Sequence, residues 1–138
     1  MNISDKGLAV LKLREGSRNK AYKDVKGIWT IGVGHTGPEV QEGLVWTDQQ
    51  ILDVLKQDVK VAEQGVTDNV RVALSQNQFD ALVSFIFNVG VKAFRRSTML
   101  KYINVGEFGL AAQQFDRWVI PIEVTSRRMS EKAQFQEV

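Results

Sequence analysis

The chain has 138 residues, of which 43% are hydrophobic and 25% are charged. This composition is typical of one soluble globular domain and excludes a disordered chain. The 18 Lys and Arg residues exceed the 16 Asp and Glu residues only slightly, so the charge does not by itself indicate nucleic-acid binding. The sequence has no cysteine and one histidine, which excludes disulfides and thiol nucleophiles and argues against a His-cluster metal site.

The N-terminal residues and the apolar runs predict where the chain accumulates. The first ten residues, MNISDKGLAV, lack the basic and apolar regions of a signal peptide. No apolar run approaches the roughly 18 residues of a membrane span. We therefore expect synthesis in the cytoplasm without stable membrane insertion, and release by another factor if the protein acts elsewhere.

The first predicted element is a helix that ends in an acid. Ser4 is a suitable N-cap, Leu8 and Leu11 are apolar positions of the helix, and Gly16 is a suitable stop. Glu15 then falls in the last turn, where the negative end of the helix dipole disfavours a carboxylate. An acid in this position is either exposed and tolerated or retained for a function.

A β-hairpin is predicted next. The sequence DVKG, which begins at Asp24, has the composition of a turn with Gly27 in the permissive position. Residues 28–33 alternate approximately as a strand. A small hairpin or three-stranded sheet of this kind must pack against helices to be stable.

Two capping boxes mark the starts of the longest helices. Thr47 with Gln50 predicts a helix that runs to about residue 64, ahead of Gly65. Ser75 with Gln78 predicts a helix that ends at residues 88–90 and is apolar on nearly all faces, which indicates burial. Three shorter helices are predicted over residues 97–104, 108–118 and 125–137.

These elements predict an α+β fold that is mainly α. All 138 residues form one domain with two lobes. A small αβ lobe with a connecting helix covers about residues 13–60, and a helical lobe covers residues 1–12 and 66–138. Two lobes joined by a helix predict a groove between them, and a groove is the default place for a ligand.

Two acids have the placement that glycosidic bond cleavage needs. Glu15 and Asp24 are nine residues apart, one at a helix end and the other in the following turn. Such cleavage requires a protonated acid for the leaving oxygen, and a carboxylate that orients water or stabilises positive charge on the sugar. The spacing alone also fits two ordinary solvated charges.

Further motifs favour the catalytic interpretation. The pattern E-x8-D-x5-T-I-G-x-G-H, from Glu15 to His35, resembles the phage-type lysozymes of glycoside hydrolase family 24, which are endolysins of tailed bacteriophages and prophages. The motifs QNQFDA, FNVG, AFRRST and FDRW and a degraded RRMSEKAQF extend the resemblance over almost the whole chain. The resemblance is highly specific in its first motif and implies a lysozyme-like fold.

The resemblance implies roles for three residues. Glu15 matches the general acid, Asp24 matches the carboxylate that acts at the anomeric carbon, and Thr30 matches the residue that helps to place the attacking water. The implied reaction is hydrolysis of the β-1,4 bond between N-acetylmuramic acid and N-acetylglucosamine in bacterial peptidoglycan, which lyses the host cell. No cofactor and no metal are implied.

Other residues are assigned supporting roles. His35 is expected to pair with Asp58 in a structural role rather than to act as a base. Candidates for substrate binding are Gly34, Phe87, Asn88 and Trp118. A solvated basic face is expected from Arg95, Arg96, Arg127 and Arg128.

One segment departs from the family pattern. Members generally carry a glycine-rich segment after the RW pair, whereas this chain has the shorter RWVIPIEVTSRR.

Two alternatives to the hydrolase remain open. One is a catalytically impaired muramidase-fold module that binds the cell wall or a protein partner, and the other is a lytic transglycosylase, which needs one acid only. The chain is expected to be a monomer. Its expected partner is peptidoglycan, and binding of nucleic acid is not expected. A separate holin would let it pass from the host cytoplasm to the cell wall or periplasm.

Overall fold

The computed structural model describes all 138 residues and is mainly helical, with one small sheet. The helices are α1 (Asp5–Glu15), α2 (Asp48–Asp58), α3 (Lys60–Asn69), α4 (Gln76–Val89), α5 (Val91–Arg95), α6 (Thr98–Asn104), α7 (Phe108–Gln114) and α8 (Thr125–Gln136). The strands are β1 (Arg18–Lys23) and β2 (Trp29–Gly32), and short 3-10 helices cover Phe115–Arg117 and Ile122–Val124. The predicted α+β class is confirmed.

The chain divides into two compact units, which are described separately. The hairpin unit comprises residues 8–60, and the helical unit comprises residues 1–7 and 61–138. No helix in either unit is long and apolar enough to cross a membrane.

Helix α1 begins and ends where the sequence predicts. The Ser4 hydroxyl accepts a hydrogen bond from the Gly7 backbone N–H at 2.9 Å, which caps the first turn. At the other end, Gly16 has a φ of +74° and donates its N–H to the Lys12 carbonyl at 2.9 Å. The left-handed conformation of Gly16 stops the helix directly after Glu15.

The sheet of the hairpin unit is antiparallel and two-stranded, with a bulge between Arg18 and Tyr22. A third strand is reduced to an isolated bridge between Lys20 and Val45. The sheet packs on a small apolar cluster that includes Ala21, Ile31, Val40, Trp29 and Trp46. This packing provides the support that a two-stranded hairpin lacks by itself.

The helix predicted from Thr47 to about residue 64 is interrupted and then continues further. The capping box of Thr47 and Gln50 is present, but α2 ends at Asp58 and α3 runs from Lys60 to Asn69. Gly65 therefore does not end a helix. A Cβ at Gly65 would lie 2.9 Å from the Val91 side chain, so the glycine allows close packing of Val91.

Helix α4 is the buried centre of the helical unit, as the sequence predicts. Every residue from 79 to 86 is buried, and the capping box of Ser75 and Gln78 is present. The helix predicted over residues 108–118 is α-helical only to Gln114 and continues as a 3-10 turn. The five-residue α5 was not predicted, because it is too short to show a periodic pattern.

The expected solvated basic face is wrong for one of its two arginine pairs. Arg95 and Arg96 are exposed, but the side chain of Arg128 is only 1% exposed and that of Arg127 only 10% exposed. Both guanidinium groups bond to the buried Glu131. A charged side chain is buried at tolerable cost when it is paired and hydrogen-bonded in this way.

Candidate active site

Glu15 lines a pocket in the hairpin unit. The pocket has a volume of about 420 Å³, and Glu15, Arg18, Tyr22 and Gly34 are among its lining residues. The Glu15 side chain comes from the last turn of α1 and is half-buried. A carboxyl group in this position is accessible to a ligand in the pocket.

Asp24 is held by the backbone of the turn that joins β1 to β2. Its Oδ1 accepts hydrogen bonds from the N–H groups of Lys26 at 2.8 Å and Ile28 at 2.9 Å. The turn closes through Gly27, whose N–H donates to the Asp24 carbonyl at 2.9 Å and whose φ is +78°. Both side-chain bonds go to Oδ1, so Oδ2 is left for water or a ligand.

Thr30 lies on β2 and is only 4% exposed. Its hydroxyl donates a hydrogen bond to the Ile28 carbonyl at 2.9 Å. Because the proton of Oγ1 is used in this way, the lone pairs of the oxygen remain as acceptors. An oxygen with this orientation can accept a hydrogen bond from a bound water molecule.

The structure brings some of the predicted site residues together. Glu15 and Gly34 line the same pocket, whereas Asp24 and Thr30 are not among its lining residues. Gly34 is exposed and has a φ of +68°, a conformation that favours glycine. No group of three or more His, Asp or Glu side chains is arranged to hold a metal ion.

The predicted contact between His35 and Asp58 is present, and a second partner accompanies it. His35 Nδ1 lies 2.8 Å from Asp58 Oδ2, and Nε2 lies 2.7 Å from Glu39 Oε1. Burial alone would lower the pKa of His35, but the bonds to Glu39 and Asp58 together outweigh it and raise this pKa above its ordinary value. The bond to His35 lowers the pKa of Glu39.

The other predicted binding residues belong to the helical unit. Phe87 is half-buried and Asn88 is exposed near the end of α4. Asn88 Oδ1 accepts from the Arg128 guanidinium, so its amide N–H donors remain for a ligand. Trp118 is half-buried and packs edge-to-face on Phe85, with ring centroids 5.3 Å apart.

Sequence reasoning missed three residues in and around the hairpin unit's site. Arg18 and Tyr22 line the pocket beside Glu15, and their spacing of four residues across a β-bulge carries no simple strand signal. Glu39 is the second partner of His35. The spacing of four residues between His35 and Glu39 was a signal that could have identified it.

Residues 12–131 match the family described as phage lysozyme. The chain belongs to the phage lysozyme family. It is 43% identical to the endolysin of Salmonella phage P22 over 143 aligned positions, which cover 98% of both chains. It is also 47% identical to the endolysin of Bacillus phage PZA, although the match covers 86% of this chain and only 46% of that one.

The solved structures agree with this assignment. A crystal structure of a P22 lysozyme mutant superposes with a TM-score of 0.94 at 41% identity and 99% coverage of both chains. The muramidase domain of SpmX from Asticaccaulis excentricus superposes with a TM-score of 0.89 at 36% identity. The predicted family and lysozyme-like fold are confirmed, and so is the prediction that the chain is a glycosidase of the lysozyme class with peptidoglycan as its substrate.

Proposed function

We propose that this phage lysozyme cleaves the β-1,4 bond between N-acetylmuramic acid and N-acetylglucosamine with Glu15, Asp24 and Thr30. The observation that carries the assignment is the position of Glu15, whose half-buried carboxyl group ends α1 and lines a pocket of about 420 Å³. The roles of the three residues come from the resemblance of the motif to the family, and the way each side chain is held supports them.

Glu15 is the proton donor to the glycosidic oxygen. The left-handed Gly16 ends α1 directly after it, so the main chain turns away and leaves the carboxyl group at the pocket wall. Protonation of the leaving oxygen allows the bond to C1 to break, and a positioned general acid typically contributes about 10²–10⁴-fold to the rate.

Asp24 and Thr30 act on the other reacting groups. The Asp24 carboxylate stabilises the positive charge that develops at C1, and its two backbone hydrogen bonds hold it in place without a cation. The lone pairs of Thr30 Oγ1 accept a hydrogen bond from the attacking water and orient it, because the Thr30 hydroxyl donates its own hydrogen bond to the Ile28 carbonyl. Pre-positioned groups of this kind lower the cost of ordering water in the transition state.

Four further residues bind the sugar chain. Gly34 offers an exposed backbone without a side chain, and the free amide donors of Asn88 suit N-acetyl and hydroxyl oxygens. Phe87 and Trp118 offer half-buried aromatic surface for the apolar faces of the sugars. The pair of His35 and Asp58 supports the hairpin unit and has no part in the chemistry.

The cellular role follows from this reaction. Residues 1–138 act as one lysozyme-like domain and as a monomer, made in the host cytoplasm. A separate holin permeabilises the membrane, after which the enzyme reaches the cell wall and lyses the host. The similarity to phage endolysins along 98% of the chain supports this role.

Replacement of Glu15 by glutamine tests the assignment. Glu15→Gln should reduce the release of reducing ends from purified peptidoglycan by about 10²–10⁴-fold and leave the melting temperature nearly unchanged. Glu42→Gln, which removes an exposed acid of the same unit, is the matched control and should retain activity. Clearing of peptidoglycan by Glu15→Gln at the wild-type rate would refute the role of Glu15, and anhydro products instead of reducing ends would identify a transglycosylase.

A further inference from the structure

Arg18 carries a positive charge in the pocket that contains Glu15, and no protein carboxylate neutralises it. It lines the pocket with Glu15 and Tyr22. None of the ion pairs of the structure includes Arg18, and its guanidinium group makes no hydrogen bond to the protein. Its guanidinium N–H donors are therefore available to a ligand.

The guanidinium is nevertheless positioned. Its Cζ atom lies 4.4 Å from the centroid of the Tyr22 ring, a distance that gives a cation–π interaction. The bulge between Arg18 and Tyr22 distorts the regular strand between the two residues. Stacking restricts the side chain before a ligand arrives, so less conformational entropy is lost when the ligand binds.

The surroundings of Arg18 are basic. Lys20, Lys23 and Lys26 are exposed on the same hairpin, and none of them has an ion-pair partner. Asp24 is the only acid of β1 and the turn that follows it. The positive electrostatic potential of the hairpin therefore favours the binding of anions next to the pocket.

We propose that Arg18 is a specificity-determining residue that binds a carboxylate of the peptide attached to the glycan. The inference rests on the proposed function, because it places peptidoglycan in this pocket. The N-acetylated sugars of the glycan are neutral, whereas the peptide is joined to muramic acid beside the scissile bond and carries carboxylates. A planar guanidinium with free donors matches a carboxylate through two parallel hydrogen bonds.

Two variants and two substrates test the proposal. Peptidoglycan without phosphate polymers is used intact. It is also used after an amidase has removed its peptides and the lactyl carboxylates that this hydrolysis frees on muramic acid have been converted to neutral amides, so that only the intact substrate carries anions. Arg18→Gln should raise KM for intact peptidoglycan about three- to tenfold with little change in kcat, which is the signature of lost ground-state binding. The same variant should have an unchanged KM on the stripped glycan, and Arg18→Lys should be intermediate on the intact substrate.

Lys20→Gln is the matched control. It removes an equal charge from the same strand, but Lys20 does not line the pocket, so KM should change less than about twofold. An equal rise in KM for Lys20→Gln and Arg18→Gln would refute the proposal, since the effect would then be general electrostatic attraction. An equal rise on intact and stripped glycan would also refute it, because the contact would not involve the peptide.

A binding measurement separates this inference from the proposed function. In a Glu15→Gln background, which prevents digestion, co-sedimentation with intact peptidoglycan should weaken about three- to tenfold when Arg18→Gln is added. Stripped glycan should show no such difference. Failure of the wild type to cleave either substrate would overturn the proposed function, whereas the binding difference would still confirm or refute the role of Arg18.

Discussion

Both units of this lysozyme hold carboxylates by hydrogen bonds, but they do so in opposite ways. In the hairpin unit, Asp24 is only half-buried and uses one oxygen for two backbone N–H groups. In the helical unit, Glu131 is fully buried and uses both oxygens. The first arrangement orients a group and leaves it reactive, whereas the second satisfies the group completely and leaves nothing for a substrate.

The network around Glu131 shows what complete satisfaction requires. Oε2 accepts from the Ser84 hydroxyl at 2.6 Å and from Arg127 Nε at 3.1 Å, and Oε1 accepts from Arg128. Arg128 also donates to the Trp118 carbonyl at 2.9 Å and to Asn88. The network thus links α4, the 3-10 turn after α7, and α8, so that its value to the protein is structural.

Removal of the buried charge should give the largest effect on stability. Glu131→Gln leaves Arg128 without its countercharge, so we expect the free energy of unfolding to fall by about 3–5 kcal/mol, measured by urea denaturation. The activity of the folded fraction should change far less than that of Glu15→Gln. If Glu131→Gln had the same free energy of unfolding as the wild type, the structural role assigned to the buried carboxylate would be refuted.

A more exposed ion pair, between α8 and the 3-10 turn Phe115–Arg117, is the control for this variant. Lys132 Nζ lies 3.0 Å from Asp116 Oδ2, but the two side chains are 24% and 49% exposed. Solvent screens such a pair, so Asp116→Asn should cost less than about 1 kcal/mol. If the two substitutions had equal costs, burial would not explain the role of Glu131.

Removal of the Thr30 hydroxyl should have an intermediate effect, on activity. Thr30→Val keeps the size and the β-branched shape of a residue that is 4% exposed. The loss of one positioned hydrogen bond should lower kcat about tenfold or more, with little change in KM. Thr30→Ser, which retains the hydroxyl, should recover most of the rate in the same assay. An unchanged kcat for Thr30→Val would exclude Thr30 from the placement of water.

The smallest effect is expected at His35, where a partly exposed ion pair stabilises the hairpin unit. His35→Asn should lower the free energy of unfolding by about 1 kcal/mol or less, because solvent screens a pair with 20% and 31% exposed side chains. Activity at a temperature well below the unfolding transition should be retained. Lost activity without a change in melting temperature would contradict the structural role.

The pH dependence of this effect has a defined sign. The pKa of His35 is raised, so its contribution is complete below the unfolded-state value of about 6.5 and is lost as the pH rises through the folded-state pKa. The pKa of Glu39 is lowered, so its contribution requires a pH above about 4.5. The stability difference between wild type and His35→Asn should therefore be largest at about pH 5–6 and smaller at about pH 8.

Local signals in the sequence predicted much of this architecture. Both capping boxes, the cap and stop of α1, the turn at Asp24 and the burial of α4 depend on residues that are close in the chain. The candidate acids were found for the same reason, because Glu15 and Asp24 flank one short strand. The family motif then added the roles that spacing alone could not assign.

The features that the sequence did not predict depend on distant contacts. Gly65 lies within α3, where a side chain would collide with Val91, and the residues around position 65 do not indicate this distant neighbour. The burial of Arg128 depends on Asn88, which lies 40 residues earlier in the chain. The stacking of Arg18 on Tyr22 depends on a local bulge, and the position of this bulge cannot be inferred from the residue types.

The manner in which Asp24 is held has a consequence for how freely its turn can vary. The two donors are main-chain N–H groups of residues 26 and 28, and the side chain of Val25 is fully exposed at 103%. Substitution of the side chains at positions 25 and 26 therefore leaves the geometry of the carboxylate intact. Only proline at position 26 or 28 would remove one of the N–H groups that donate to Asp24. The tip of the hairpin can diversify during evolution, or carry an attached label, without disturbing the carboxylate that we propose acts in catalysis.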